Sequence, residues 1–296
     1  MAWVEWSVTA VGVLVVAVAL RDIFHTLWHP SGRGSVSARV MQAVWRVGRR
    51  RRGRSAGGVL TGPVALSLVI LVWVTLLVAG GALVYAPHLP EGFVFQSGID
   101  VSARNDALDA VYLSAVSLAT LGFGDVVPDS GWLRIAVPVQ ALIGFGLLTA
   151  SVTWVLQVYP ALIRRRATAV RLAMLRSVPP EELLHDPDSA LAAPLLESLA
   201  AELAQARVDL TQYTETFYFR DRDEDAALPA TVVVAAGFAV TGRAAPRRDV
   251  RVAAGLLQTA LDDLARVLDE QFLHVRGSTD EVLAAYAEAH HHVPQD

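Results

Sequence analysis

The chain contains no cysteine and no lysine, and only 18% of its 296 residues are charged. Without cysteine, disulfides, thiolate metal sites and thiol nucleophiles are excluded, and the redox compartment leaves no trace. The missing lysine makes all 25 basic residues arginine, a bias that carries no functional reading. The shortage of charge says more, because a water-soluble chain normally carries about a quarter charged residues. With 53% hydrophobic residues and a mean hydropathy of +0.41, apolar segments must be concentrated somewhere, and a membrane protein is expected. At about 150 residues per domain the length allows two units. A cut after Arg166 separates them: residues 1–166 carry 14 Arg against 8 acids, and residues 167–296 carry 11 Arg against 21. No nucleophile stands beside a base, no carboxylates pair in an apolar setting and no metal-ligand spacing appears, so nothing supports a membrane-anchored enzyme.

Three apolar stretches are long enough to cross hydrocarbon. Val8–Leu20, extended by Trp3–Ser7, is the first. A signal peptide would start basic and end in a small-residue cleavage site, whereas Glu5 comes early and Arg21-Asp22 follow, so a retained span over residues 1–28 is expected. Val64–Val84 covers about 31 Å at helical rise, with Pro63 where a first-turn proline does no harm, and sets an outer helix at 63–85. Trp132–Tyr159 is the third, with aromatics near both ends where they suit the water interfaces; it sets a helix at 131–159. Arginines gather at residues 33–54 and again at Arg164, Arg165 and Arg166, while the connector between the second and third spans is acidic. Both basic flanks are therefore expected in the cytoplasm, with the N-terminus outside and the C-terminus inside. The basic linker 29–61 lacks the every-third-residue spacing of a voltage sensor. It reads as a flank for anionic lipid, and neither it nor the rest of the chain points to nucleic acid.

The acidic connector holds a second apolar piece, Ala107–Ala119, too short to cross. Asn105 or Asp106 can cap it, and Asp109 falls in its first turn, where the helix dipole favours an acid. It reads as a helix that enters the membrane halfway. Thr120-Leu121-Gly122-Phe123-Gly124-Asp125 follows. Non-helical backbone at membrane depth leaves carbonyls without partners unless it is buried in protein or lines a wet cavity. Glycine at alternate positions permits left-handed angles, so the carbonyls of Thr120, Leu121, Gly122 and Phe123 can face one axis, with the Thr120 hydroxyl below them. Oxygens so arranged can replace the water shell of a dehydrated monovalent cation.

These residues, Thr-x-Gly-Phe-Gly-Asp, resemble the selectivity filter of the tetrameric potassium channels, and the resemblance covers residues 62–160. It implies a pore helix at 107–119, a filter at 120–125 binding K+ through Thr120, Leu121, Gly122, Phe123 and Gly124, and an outer-mouth acid at Asp125. One such loop per chain implies a homotetramer. Gly144, with Gly146 beside it, stands where the family often places the hinge of its inner helix. Two glycines there cost roughly 2 kcal/mol of helix propensity, which suits either a bend or a close helix contact. By register Phe145, Leu148, Thr149, Val152 and Leu156 face the cavity and inner constriction, closing by hydrophobic contact. Phe123 replaces the family's commoner tyrosine, Val116 stands where a carboxylate is frequent and Leu113 where an aromatic is; Tyr112 is the substitute brace. Passive potassium conduction with no cofactor is the expected activity. The alternatives are a non-selective monovalent cation channel of the same build and a membrane sensor with a vestigial pore.

Residues 161–296 read as a helical cytoplasmic domain. Pro179-Pro180-Glu181-Glu182 opens a short helix. Leu196, Leu199, Leu203, Ala206, Leu210 and Tyr213 form one apolar stripe; Leu257, Leu261, Leu264, Leu268 and Phe272 form another. Val232–Val240 suits a buried helix, and Ser278 with Glu281 a capping box. No strand-to-helix glycine loop of the dinucleotide type appears. His290, His291 and His292 read as a frayed terminal tract, and Asp221, Asp223, Glu224 and Asp225 as a solvated loop, not a calcium site. The expected architecture is an all-α integral membrane protein: three spans, a re-entrant pore helix with its filter, and a helical domain inside the cell.

Overall fold

The computed structural model describes residues 2–28, 34–50, 61–96 and 105–292. Ten α-helices lie within them: α1 (Ala2–Leu27), α2 (Ser35–Arg50), α3 (Thr61–Tyr85), α4 (Asp106–Leu118), α5 (Leu133–Leu175), α6 (Pro180–Leu184), α7 (Ala192–Gln212), α8 (Leu228–Arg243), α9 (Arg248–Leu268) and α10 (Thr279–Ala289). Three helices, starting at Trp3, Thr61 and Leu133, are long and apolar enough to cross a membrane. The chain divides into two compact units, Met1–Gln42 with Leu66–Leu156, and Ala43–Ala65 with Gln157–Asp296.

Two differences from the sequence reading stand out. The all-α expectation misses a short antiparallel ribbon of β1 (Phe93–Phe95) and β2 (Val126–Pro128), with Phe93 opposite Pro128 and Phe95 opposite Val126. Apart from Pro128 the strand residues are β-branched or aromatic, and both strands are too short for a visible alternation. The helix that begins at Leu133 does not end near Tyr159 but continues to Leu175, about 65 Å in all. Nothing in Arg164–Leu175 breaks a helix, so the charge run marked a change of surroundings and not of backbone.

In the first unit α1 crosses α3 where glycine meets glycine. A Cβ on Gly12 would lie 2.6 Å from the Gly80 carbonyl oxygen, and one on Gly80 would lie 2.7 Å from the Val16 side chain. Small residues let membrane helices approach this closely, and dispersion between them replaces the missing hydrophobic drive. Near one end of α1, Thr9 Oγ1 lies 3.0 Å from His88 Nε2, and His88 packs edge-on against Trp6 and Trp132. Towards the other end Asp22 is buried and accepts from Val36 N (2.7 Å), Ser37 N (3.0 Å) and Trp73 Nε1 (2.9 Å). Its carboxylate thereby takes two amides of the first turn of α2, which no residue within that helix would satisfy. Trp73 packs in turn on Trp154 of α5 at 5.6 Å.

In the second unit the leucine stripes become the core. Leu196, Leu199, Leu203 and Leu210 of α7 and Leu257, Leu261, Leu264 and Leu268 of α9 are all buried, and the Ser278–Glu281 capping box starts α10. The segment Thr214–Tyr218 is a short 3-10 helix. Phe217 stacks on Phe272 at 4.1 Å and meets Trp45, Tyr286 and His290.

The arginines after the third span enter this unit as ion pairs. Arg164 forks onto Asp209 at 2.9 and 2.7 Å, and Arg165 donates to the Thr216 and Phe219 carbonyls and to Asp221. Arg166 reaches the other Asp221 oxygen at 2.6 Å, and Arg171 pairs with Glu202. The solvated-loop reading therefore fails at Asp221, whose side chain is buried between two guanidiniums. The frayed-tract reading fails as well: His290 and His292 are buried, and His290 Nε2 lies 2.9 Å from the Phe217 carbonyl. Among the described residues no group of His, Cys, Asp or Glu is placed to hold a metal ion.

Burial, aided by the nearby Arg165 and Arg220 charges, pushes the His290 imidazole down to about 3 from 6.5. The fold keeps it neutral while the unfolded chain takes up a proton below about 6.5. Stability should then fall as pH drops below that value, by up to about 1.4 kcal/mol per unit. Thermal melts in detergent between pH 7.5 and 5 should show this fall, and His290→Gln should flatten it.

Candidate pore site

α4 is a short apolar helix fixed at both ends. The Asn105 side chain accepts from Ala107 N and Leu108 N at 3.1 and 3.3 Å, with Asp106 and Asp109 in the first turn. Its buried residues are Ala110, Leu113, Ser114, Val116, Ser117 and Leu118; all but Val116 fall on one face with the helical spacing that packs against a neighbour. At the far end Thr120 N bonds Ser117 O at 3.0 Å and Leu121 N bonds Val116 O at 2.9 Å. These bonds cap two of the last helical carbonyls. Thr120 itself is left-handed at φ +58°, which ends the helix and turns the chain outward from it.

From there left-handed angles recur at every second residue: Thr120 at +58°, Gly122 at +53° and Gly124 at +80°. A Cβ at Gly122 or Gly124 would meet nothing within 4 Å. The backbone angle, not a lack of room, is what calls for glycine at these two positions. Thr120 is the costlier case, because an L-residue pays about 1–2 kcal/mol there. Leu121 and Phe123 stand exposed, as do Phe145, Leu148, Thr149, Val152 and Leu156 on α5. In a single chain, residues 120–124 and one face of α5 are exposed.

At the end away from α4 the segment makes two contacts. Tyr112 donates its hydroxyl to Asp125 Oδ2 at 2.6 Å, and Gln96 N bonds the Asp125 carbonyl at 2.9 Å, which extends the ribbon by one step. Between α3, α4 and α5 lies a buried polar cluster that the sequence reading missed. Tyr85 donates to Gln140 Oε1 at 2.6 Å, Gln140 Nε2 donates to Ser114 Oγ at 2.7 Å, and Ser114 donates to Val78 O at 2.8 Å. One signal was available: Gln140 is a polar residue in the middle of an apolar span, where such residues mark function.

Gly144 is a close-contact glycine. Its Cβ would fall 1.7 Å from the Leu118 carbonyl oxygen, whereas Gly146 faces open space, and α5 remains helical through both.

Residues 69–159 match the family described as "Ion channel". This stretch, under a third of the chain, is similar to an ion-channel domain. The uncharacterized membrane protein YdjJ of Bacillus subtilis is 27% identical over 164 residues, 53% of this chain and 46% of that protein. Two-pore potassium channel 5 of Arabidopsis thaliana is 35% identical over 71 residues, 23% of this chain and 17% of its own. A candidate potassium channel protein of Rhodopseudomonas palustris is 31% identical over 112 residues, 38% of this chain and 25% of its own. The chain spans less than half the length of each relative, and no solved structure matches it. The match, the membrane-protein relative and the three apolar helices support a membrane location, and the matched stretch points to an ion channel.

Tyr112→Phe removes the hydroxyl from Asp125 and with it a bond worth about 1.5–3 kcal/mol when an ionised group takes part. Single-channel bursts should shorten about tenfold or more, with assembly unchanged on size-exclusion chromatography.

Proposed function

We propose that four copies of the chain surround one pore and conduct potassium passively down its gradient. The observation that carries this reading is the alternation of left-handed angles at Thr120, Gly122 and Gly124. Backbone of that kind can turn successive carbonyls to one side, and four such strands would offer rings of oxygen in place of a cation's water. The exposed filter and the exposed face of α5 suit burial against further copies and a water-filled axis. At the end of α4 the partial negative charge of a helix C-terminus would favour a cation approaching the filter.

Val152 and Leu156 form the narrow apolar constriction in this reading, Phe145, Leu148 and Thr149 line the cavity above it, and the Gly144–Gly146 stretch supplies the bend that opens it. Asp125, tied to Tyr112, is the outer-mouth acid. The N-terminus lies outside and the C-terminus in the cytoplasm. The arginines of the linker 29–61 meet anionic lipid; of these, Arg33 and residues 51–54 lie outside the described residues, as do the side chains of Arg49 and Arg50.

The test is flux from liposomes and reversal potentials in planar bilayers. Wild-type protein should follow the potassium gradient, and Gly122→Ala should abolish selective conduction while sparing the tetramer. Wild-type-like currents from Gly122→Ala would remove the filter assignment. A reversal potential indifferent to exchanging potassium for sodium would favour the non-selective cation channel. No flux, even after Val152 and Leu156 are cut to alanine, would favour the sensor with a vestigial pore.

A further inference from the structure

We propose that Gln140 is a positioning residue for ion selection, holding the pore helix α4 in register with α5 and α3 so that the filter's geometry depends on where the inner helix stands. The proposal rests on the channel reading above and adds to it the means by which the filter is held from behind.

The argument begins with a hydrogen-bond count. Gln140 spends its carbonyl on the Tyr85 hydroxyl and its two amide hydrogens on Ser114 Oγ and, at 3.4 Å, on the Leu77 carbonyl. Ser114 spends its one hydrogen on the Val78 carbonyl. Every donor in the cluster is used, and Tyr85, Ser114 and Gln140 are all buried. Unsatisfied polar groups at membrane depth are expensive, so the arrangement is strongly preferred over any shifted one in which a hydrogen is left without an acceptor.

The second part is steric. Gly81 makes room for the cluster: a Cβ there would lie 2.4 Å from Gln140 Nε2 and 2.5 Å from Ser114 Oγ. One helical turn beyond Gln140, Gly144 takes the Leu118 carbonyl into the space a side chain would occupy. Leu118 is likewise one turn beyond Ser114. The α4–α5 contact therefore repeats at i and i+4 on both helices, once as an amide tie and once as a backbone contact with no slack. A sliding or rolling movement of α5 at this level must either carry α4 with it or break the cluster. α4 ends two residues before Thr120, and its carbonyls at Val116 and Ser117 hold Leu121 N and Thr120 N. Movement of α5 is thus delivered to the first filter residues through three bonded steps.

The experiment uses the full-length protein in planar bilayers, with the potassium-to-sodium permeability ratio taken from bi-ionic reversal potentials. Gln140→Leu keeps similar bulk and removes the ties; the ratio should fall at least tenfold in channels that remain tetrameric by size-exclusion chromatography. Tyr85→Phe should lower it in the same direction by a smaller factor, and the double variant should be no worse than Gln140→Leu alone. Gln140→Glu is the conservative rescue: its neutral carboxyl can accept from Tyr85 and donate to Ser114. Its ratio should match wild type at low pH and drop as the carboxyl ionises, while the wild-type ratio changes far less over the same range.

A merely structural role would lower yield or melting temperature and leave the ratio of assembled channels unmoved; that result from both Gln140→Leu and Tyr85→Phe overturns the proposal. If Gln140→Leu fails to assemble, Tyr85→Phe and the pH response of Gln140→Glu decide. A wild-type protein that passes no potassium would instead remove the channel reading itself.

Discussion

Backbone that leaves a helix must find partners for its polar groups, and the stretch that follows α4 is arranged around that requirement. Thr120–Gly124 can abandon helical bonding because Val116 and Ser117 cap its first amides and the ribbon takes up the chain at Asp125. The stretch between them keeps its own carbonyls free of those ties. α4, from whose end the stretch runs, is held against α3 and α5 by close contact, with Gly81 and Gly144 where a side chain would intrude. The apolar faces supply length and membrane affinity, but glycine and a few polar side chains decide the register.

The helical skeleton was legible because it rests on long periodic patterns. The spans, the α7 and α9 stripes, the Asn105 cap and the Ser278 box each involve several residues that agree with one another. The ribbon escaped because three residues on each side are too few to show a period. The continuation of α5 to Leu175 escaped because charge was read as a boundary, although arginine is a good helix former. At the candidate site the Thr120–Asp125 motif announced itself through its glycines, whereas Tyr85, Ser114 and Gln140 are scattered over three elements and become a cluster only once those elements pack.

Asp22 and His290 teach the same lesson from the opposite side. One looked like the polar edge of a span and the other like a loose tail, and both are buried and hydrogen-bonded. A sequence shows that a polar residue is present; whether it faces solvent depends on partners far along the chain, such as Trp73 for Asp22 and Phe217 for His290.

The arginine triplet after the third span has two successive environments. Its carboxylate partners, Asp209 and Asp221, lie 45 and 55 residues later in the chain than Arg164 and Arg166. During synthesis the triplet therefore leaves the ribosome before the groups that will neutralise it exist, and any step of insertion that reads charge meets three bare guanidiniums. Once the helical unit has formed, the same positive charge is spent on internal pairs. The order of the residues along the chain thus gives one cluster two settings in turn, bare while the chain is being made and paired once the helical unit has formed.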